Sequence, residues 1–289
     1  MKTVKIGTHT LGNSDRTFIV AEIGINHNGD ITIAKKLIAA AKEAGCDAVK
    51  FQKRTIEVVY TADELAKPRE NPFGPTNGDL KRGLEFGFDQ YKEIDAFCKQ
   101  QGLIWFASPW DEASVDFLEK FNVPCHKIAA ASLTDSGLLK KIKSTGKPGI
   151  LSTGMSSLAE IDKAVQTLGT DNLVILHCVS LYPAPTDKIN MRGMKTLMEK
   201  YPVPVGYSGH EADTIISASA VTMGACVVER HFTLDRDMWG SDHKASIEPS
   251  EMKAMIDNIR LVEKALGSAE IKCLPEEEPV KAKLRRVAG

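Results

Sequence analysis

The chain has 289 residues, of which 43% are hydrophobic and 26% charged, the balance of an ordinary soluble globular protein. Its net charge of −1 and pI near 6.7 provide no basic field for nucleic acid or an anionic membrane, so an anionic ligand must be met by a local cluster. Its apolar stretches fall far short of the roughly 20 residues of a membrane helix, and MKTVKIGTHTLG lacks the apolar core of a secretory signal.

In chain order, KTVKIGTHTLGN reads as a small hairpin occupying 1–16. Eight short apolar runs follow: TFIVAEIG (17–24), DAVKFQ (47–52), IWFASP (104–109), CHKIAA (125–130), GILSTG (149–154), LVILHCV (173–179), PVGYSG (204–209) and CVVERHF (226–232). Amphipathic segments such as ITIAKKLIAAAKEAG separate them, with helical spacing and a glycine stop. Continuous rather than alternating apolar runs indicate strands buried on both faces, as in a parallel sheet. Eight strand–helix units predict an α/β fold, a (β/α)8 TIM barrel over 17–268 preceded by the hairpin. No GxGxxG follows the first strand, which argues against a dinucleotide fold. Residues 53–88 break the rhythm and read as a long loop; 269–289, charged and proline-interrupted, read as a tail or truncated linker. The six cysteines lack a CxxC pair, which suits free thiols in a reducing cytoplasm.

Barrel active sites lie at the C-terminal strand ends. Read there, the chain presents Glu22, Lys50 with Gln52, Ser108, Lys127, Ser152, Ser180 with Tyr182, His210 and His231. One such group means little; eight strands each delivering one point to a shared pocket. Lysine is almost never buried unpaired, so Lys50 and Lys127 aimed at one mouth suggest a cradle for phosphate or carboxylate, with the serines as hydroxyl donors. His210 and His231, on adjacent strands, make a plausible divalent metal site, and Asp242 follows in the next loop. Glu22 suits general acid/base work, and a salt bridge to Lys50 is its ordinary alternative.

These residues lie in motifs — AEIGINHNG, VKFQ, KPRENPFG, LSTGM, HCVSLYP, GYSGHE, ERHFT and GSDHKASIEP — that together resemble the N-acetylneuraminate (sialic acid) synthase family. The resemblance implies a barrel enzyme, a transferase that condenses phosphoenolpyruvate with N-acetylmannosamine or a related open-chain amino sugar. It also implies a divalent metal (Mn2+, or else Mg2+ or Co2+) on His210 and His231, and a homodimer. Glu22 and Asp242 match catalytic positions. Lys50, Gln52, Ser108, Lys127, Ser152, Ser180 and Tyr182 match the phosphoenolpyruvate pocket, and Asn26, Ser132 and Asp242 the sugar site. Two departures stand out. Where the family usually reads KIASGE this chain has Lys127-Ile128-Ala129-Ala130-Ala131-Ser132, so a phosphate-binding serine is Ala130 and a sugar-binding glutamate is Ser132. The family also continues past a double arginine like Arg285-Arg286 into an antifreeze-like domain, whereas this sequence stops at Gly289. A class I aldolase with a Schiff-base lysine, and a sugar- or phosphate-binding barrel without turnover, are the alternatives.

Overall fold

The computed structural model describes residues 2–12 and 16–287; Met1 and 13–15 of the expected hairpin segment and 288–289 of the expected tail lie outside the described residues. Strands β1 (Val4–Ile6) and β2 (His9–Leu11) pair antiparallel as the N-terminal hairpin. The barrel strands are β3 (Phe18–Gly24), β4 (Ala48–Lys53), β7 (Ile104–Pro109), β8 (His126–Ile128), β9 (Gly149–Ser152), β10 (Leu173–Cys178), β11 (Val205–Gly209) and β12 (Val227–His231). All pair in parallel and in chain order, and β12 closes on β3, so the sheet is the closed eight-stranded barrel that the apolar runs predict.

The runs become strands because both of their faces are buried, one against the barrel interior and one against the helices; every residue of β3 is buried. Connecting helices begin and end where local chemistry dictates. The Ile31–Ala44 helix starts at Asp30, whose side chain accepts from the Thr32 amide, and stops at Gly45, whose φ of 96° suits glycine. The hairpin closes the N-terminal end of the barrel. Its Val4, Ile6 and Leu11 are buried, and Gly7 packs against Ile104 at the start of β7. One end is therefore plugged by apolar side chains, and the polar strand ends gather at the other.

The segment after β4 is more ordered than the long loop its composition suggests. It contains short helices Ile56–Val59 and Ala62–Ala66, a hairpin of β5 (Pro68–Asn71) and β6 (Gly74–Thr76), and the helix Asn77–Leu84. A capping box anchors that last helix: the Thr76 side chain accepts from the Asp79 amide while Asp79 accepts from the Thr76 amide. Short elements pinned by caps carry no long periodicity, which is why they read as loop. Among the described residues no helix is long and apolar enough to cross a membrane, and all six cysteines are unpaired.

Candidate active site

Strand register brings the polar groups together. Glu22 on β3 is level with Lys50 on β4 and with His231 on β12, and Gln52 is level with Ser108 on β7. The Lys50 ammonium lies 2.8 Å from Glu22 Oε2 and donates to Ser108 Oγ at 3.1 Å. Gln52 Nε2 donates to the other Glu22 oxygen at 3.0 Å. A second cluster stands across the barrel. Lys127 Nζ donates to Ser152 Oγ at 2.6 Å and to the Ile128 carbonyl at 3.1 Å, and Glu229 Oε1 is 3.7 Å away. Ser208 donates to the same Glu229 oxygen at 3.1 Å.

All four charged groups are buried, so their charges are tuned by one another. Burial disfavours the Lys50 cation, but Glu22 and then Glu229 outweigh it and hold its ammonium above the ordinary lysine value. Burial prevails at Lys127, helped by the like charge of Lys50 and opposed by Glu229, and lowers its pKa. Glu229 is also opposed by burial, yet Lys127 and Lys50 hold its carboxyl below the usual range.

The histidines stand together beside this quartet. The His210 and His231 rings are 5.3 Å apart, and Tyr182 covers them, its ring 4.1 Å from His210 and 5.6 Å from His231. His210 Nδ1 is 2.7 Å from the Val179 carbonyl, which only accepts, so Nδ1 carries the hydrogen and Nε2 keeps a free lone pair. Burial first, and then His231, push the His210 pKa down to about 3, so its imidazole is neutral. His231 Nδ1 is buried without a hydrogen-bond partner, and Asp242 Oδ2 lies 4.0 Å from it. Among the described residues no three His, Cys, Asp or Glu side chains are grouped to hold a metal by themselves. The pair nevertheless fits a divalent ion as two nitrogen ligands with positions left open.

Glu22, Lys50, Gln52, Ser108, Lys127, Ser152, Ser180, Tyr182, His210, His231 and Asp242 all line one cavity of about 360 Å³. Two expected residues do not. Asn26 turns aside and donates to the Phe232 carbonyl at 2.9 Å and to Ser246 Oγ at 2.8 Å, tying the loop after β3 to the segment after β12. Ser132 lies on a 3-10 turn and lines an adjoining depression with Asp111 and Asp135; Ala130 faces the main cavity, and Ala131, Tyr60 and Trp110 line both. A larger, shallower hollow of about 740 Å³ lies beside His177, away from the lysine–glutamate quartet; His177 turns outward to donate to the Ile189 carbonyl at 2.8 Å.

Several lining residues escape a reading of strand ends. Glu229 and Ser208 lie two positions before His231 and His210, and residues two apart in a strand share a face. That spacing was the available signal. Arg54, Tyr60, Lys81 and Trp110 come from loops and elements beyond the strands, where no periodicity marks them.

Opposed lysines, carboxylates and paired histidines at the C-terminal mouth of a closed parallel barrel define a protein of the (β/α)8 enzyme class. Comparison with known proteins narrows this. The NeuB family model matches residues 37–271, and the chain belongs to the NeuB family. It is 40% identical over 279 residues to N-acetylneuraminate-9-phosphate synthase of Mus musculus, covering 95% of this chain and 78% of that protein. It is 39% identical over 290 residues to N,N'-diacetyllegionaminic acid synthase of Legionella pneumophila, covering 97% of this chain and 82% of that one. The crystal structure of N-acetylneuraminic acid (sialic acid) synthetase from Leptospira borgpetersenii, in complex with citrate, matches with a TM-score of 0.86 at 28% identity, covering 99% of this chain and 98% of that one.

Proposed function

We propose that the chain joins phosphoenolpyruvate to the aldehyde of an open-chain N-acetylated amino sugar, giving a nine-carbon 2-keto-3-deoxy sugar acid and inorganic phosphate. The observation that carries this reading is the set of two buried lysine–serine clamps and two paired imidazoles in one cavity of a NeuB-family barrel.

Lys50 with Ser108 and Lys127 with Ser152 hold the carboxylate and phosphate of phosphoenolpyruvate, where a charged hydrogen bond gains strength from exclusion of water. C3 of phosphoenolpyruvate bonds to the aldehyde carbon through the electron pair of the enol phosphate's C2–C3 double bond, and the aldehyde oxygen takes a proton. Water adds at the electron-poor C2 and gives up its protons. The C2–O bond to phosphate then breaks, leaving the ketone and inorganic phosphate. Glu22, with both oxygens held by Lys50 and Gln52, is the carboxylate that receives a proton from that water. Asp242 and Tyr182 orient the acceptor at the mouth. His210 and His231 would hold a divalent ion, and two imidazoles favour manganese or cobalt over magnesium. Such an ion supplies Lewis-acid polarisation of a carbonyl oxygen. The resemblance extends the proposal to a cytoplasmic homodimer, which light scattering at micromolar protein would test for assembly.

The test is phosphate release from phosphoenolpyruvate with a panel of amino sugars and added divalent ions. Release only in the presence of a sugar, with oxygen-18 from the C2–O–P bridge recovered in phosphate, supports the reading. No release with any sugar, or label retained in the keto acid, removes it. One observation favours a second reading: the lowered pKa of Lys127 suits a nucleophilic amine, as in a Schiff-base aldolase. Borohydride would trap that imine as a stable adduct, and a mass unchanged after borohydride treatment would dismiss it.

A further inference from the structure

The motifs GYSGHE and ERHFT each set a charged residue next to a cavity histidine: Glu211 follows His210, and Arg230 precedes His231. Ser208, His210, Glu229 and His231 line the cavity, so strand alternation turns Arg230 and Glu211 to the outer face of the barrel. Both are nevertheless only 1% exposed. Arg230 Nη1 lies 3.0 Å from Glu211 Oε1 and donates to Ser217 Oγ and to the Asp213 carbonyl, both at 2.9 Å. Its Nη2 donates to the Glu211 carbonyl. Tyr207, also buried, donates to Glu211 Oε2 at 2.7 Å. Gly209 leaves room for that carboxylate, since a Cβ there would stand 2.7 Å from Oε2.

A buried ion pair stabilises little relative to apolar side chains of similar volume, so stability does not account for this network. Its place does. The ladder between β11 and β12 ends at Gly209 opposite Arg230, one residue short of the histidine in each strand. Past that point the two imidazoles belong to different neighbours. His231 is in register with Glu22 on β3, whereas His210 Nδ1 donates to the Val179 carbonyl after β10. The contacts of Arg230 with the Glu211 carboxylate and carbonyl continue the link between β11 and β12 beyond the ladder. None of Tyr207, Glu211 and Arg230 lines the cavity. We propose that these three are positioning residues, which hold the His210 and His231 rings at the spacing that one shared divalent ion needs. This rests on the reading of the two histidines as a metal pair.

The experiment separates positioning from stability. Its variants are Arg230→Met, the charge-free pair Arg230→Met with Glu211→Gln, and the mild Tyr207→Phe. Cobalt(II) is the probe, read by titrated affinity and visible absorption, beside urea unfolding, kcat at saturating cobalt and the KM for phosphoenolpyruvate. Arg230→Met strands the Glu211 carboxylate and should lower both stability and cobalt affinity. Removing both charges should restore most of the stability. Cobalt affinity should nevertheless stay about tenfold or more below wild type, the usual loss when the support of metal-binding side chains is removed. The cobalt bands should shift and kcat should fall, with the KM for phosphoenolpyruvate little changed. Tyr207→Phe should weaken cobalt about threefold, the size of one hydrogen bond. Cobalt affinity that returns to wild type together with stability makes the network merely structural; it overturns the proposal and leaves the metal reading standing. If the charge-free pair does not fold, an unmoved cobalt affinity in Tyr207→Phe overturns it instead. A wild type that binds cobalt no better than His231→Ala sinks the metal reading, and histidine NMR of the metal-free protein then decides. Ring resonances of His210 and His231 that shift in the charge-free pair keep the positioning role, and unmoved ones remove it.

Discussion

Glu22 and Lys50 face each other across neighbouring strands at 2.8 Å, both buried, and Gln52 occupies the second carboxylate oxygen. The carboxylate proposed to receive the proton is thus also one half of a buried salt bridge. A pair so placed stabilises little relative to an apolar pair, but breaking it strands a charge in the barrel. Lys50→Met should therefore cost about 3–5 kcal/mol in urea unfolding, and adding Glu22→Gln should recover much of that loss. Equal stability of Lys50→Met and wild type would mean that Glu22 simply takes up a proton.

Lys127 is the next test. Among the described residues its contacts are Ser152, the Ile128 carbonyl and Glu229, none of them an imidazole. On the proposed chemistry Lys127→Ala raises the KM for phosphoenolpyruvate by about tenfold or more and that for the sugar much less. Steady-state kinetics in both substrates read this directly; a larger rise for the sugar would place Lys127 at the acceptor.

Metal binding can be followed without turnover. His210→Ala and His231→Ala should each abolish the manganese retained after dialysis, measured by elemental analysis, while circular dichroism stays native. Chelation should stop phosphate release, and either substitution should lower the rate by several orders of magnitude, because a Lewis acid contributes several kcal/mol. Undiminished release in excess chelator would dispose of the metal.

Histidine burial predicts a pH dependence of stability. Burial first, and then Arg54, lower the His27 pKa to about 3, and its ring stacks on Phe86 at 3.9 Å. His126, His177 and His210 are lowered in the same direction. In the unfolded chain these groups take up protons below about pH 6.5, and in the folded chain only at lower pH. Stability is therefore complete above that value and falls as pH drops toward about 3. The urea midpoint should decline between pH 7 and 5, before most carboxylates titrate, and more shallowly in His27→Gln. A flat midpoint over that range would show that the rings accept protons in the folded state.

The barrel was legible in the chain because parallel strands covered on both faces need continuous apolar runs, and the helices between them need a periodic stripe and a stop. The strand ends were legible for the same reason: a charge at the end of such a run has nowhere to go but the mouth. What lay on the mouth's inner face was less visible. Glu229 hides inside ERHF, and only alternation counted back from His231 separates it from Arg230, which turns outward to pair with Glu211 at 3.0 Å. Ser132 is a different case. Its motif position implies the sugar site, and the 3-10 turn after β8 places it in an adjoining depression, with Ala130 toward the main cavity and Ala131 between the two. Asn26 lies off the main cavity too: its amide nitrogen donates to backbone and hydroxyl partners, and the residue lines the adjoining cavity. Lys81 and Arg54, in the stretch that reads as loop, reach the mouth because caps and a hairpin fold that stretch against the loops after β3 and β12, where Phe73 meets Trp239 and Gly83 lies beside Gly29. Local periodicity determines which residues form strands and where those strands end. Only tertiary packing decides how turns and loop side chains approach the opening, because contacts distant in sequence set their directions.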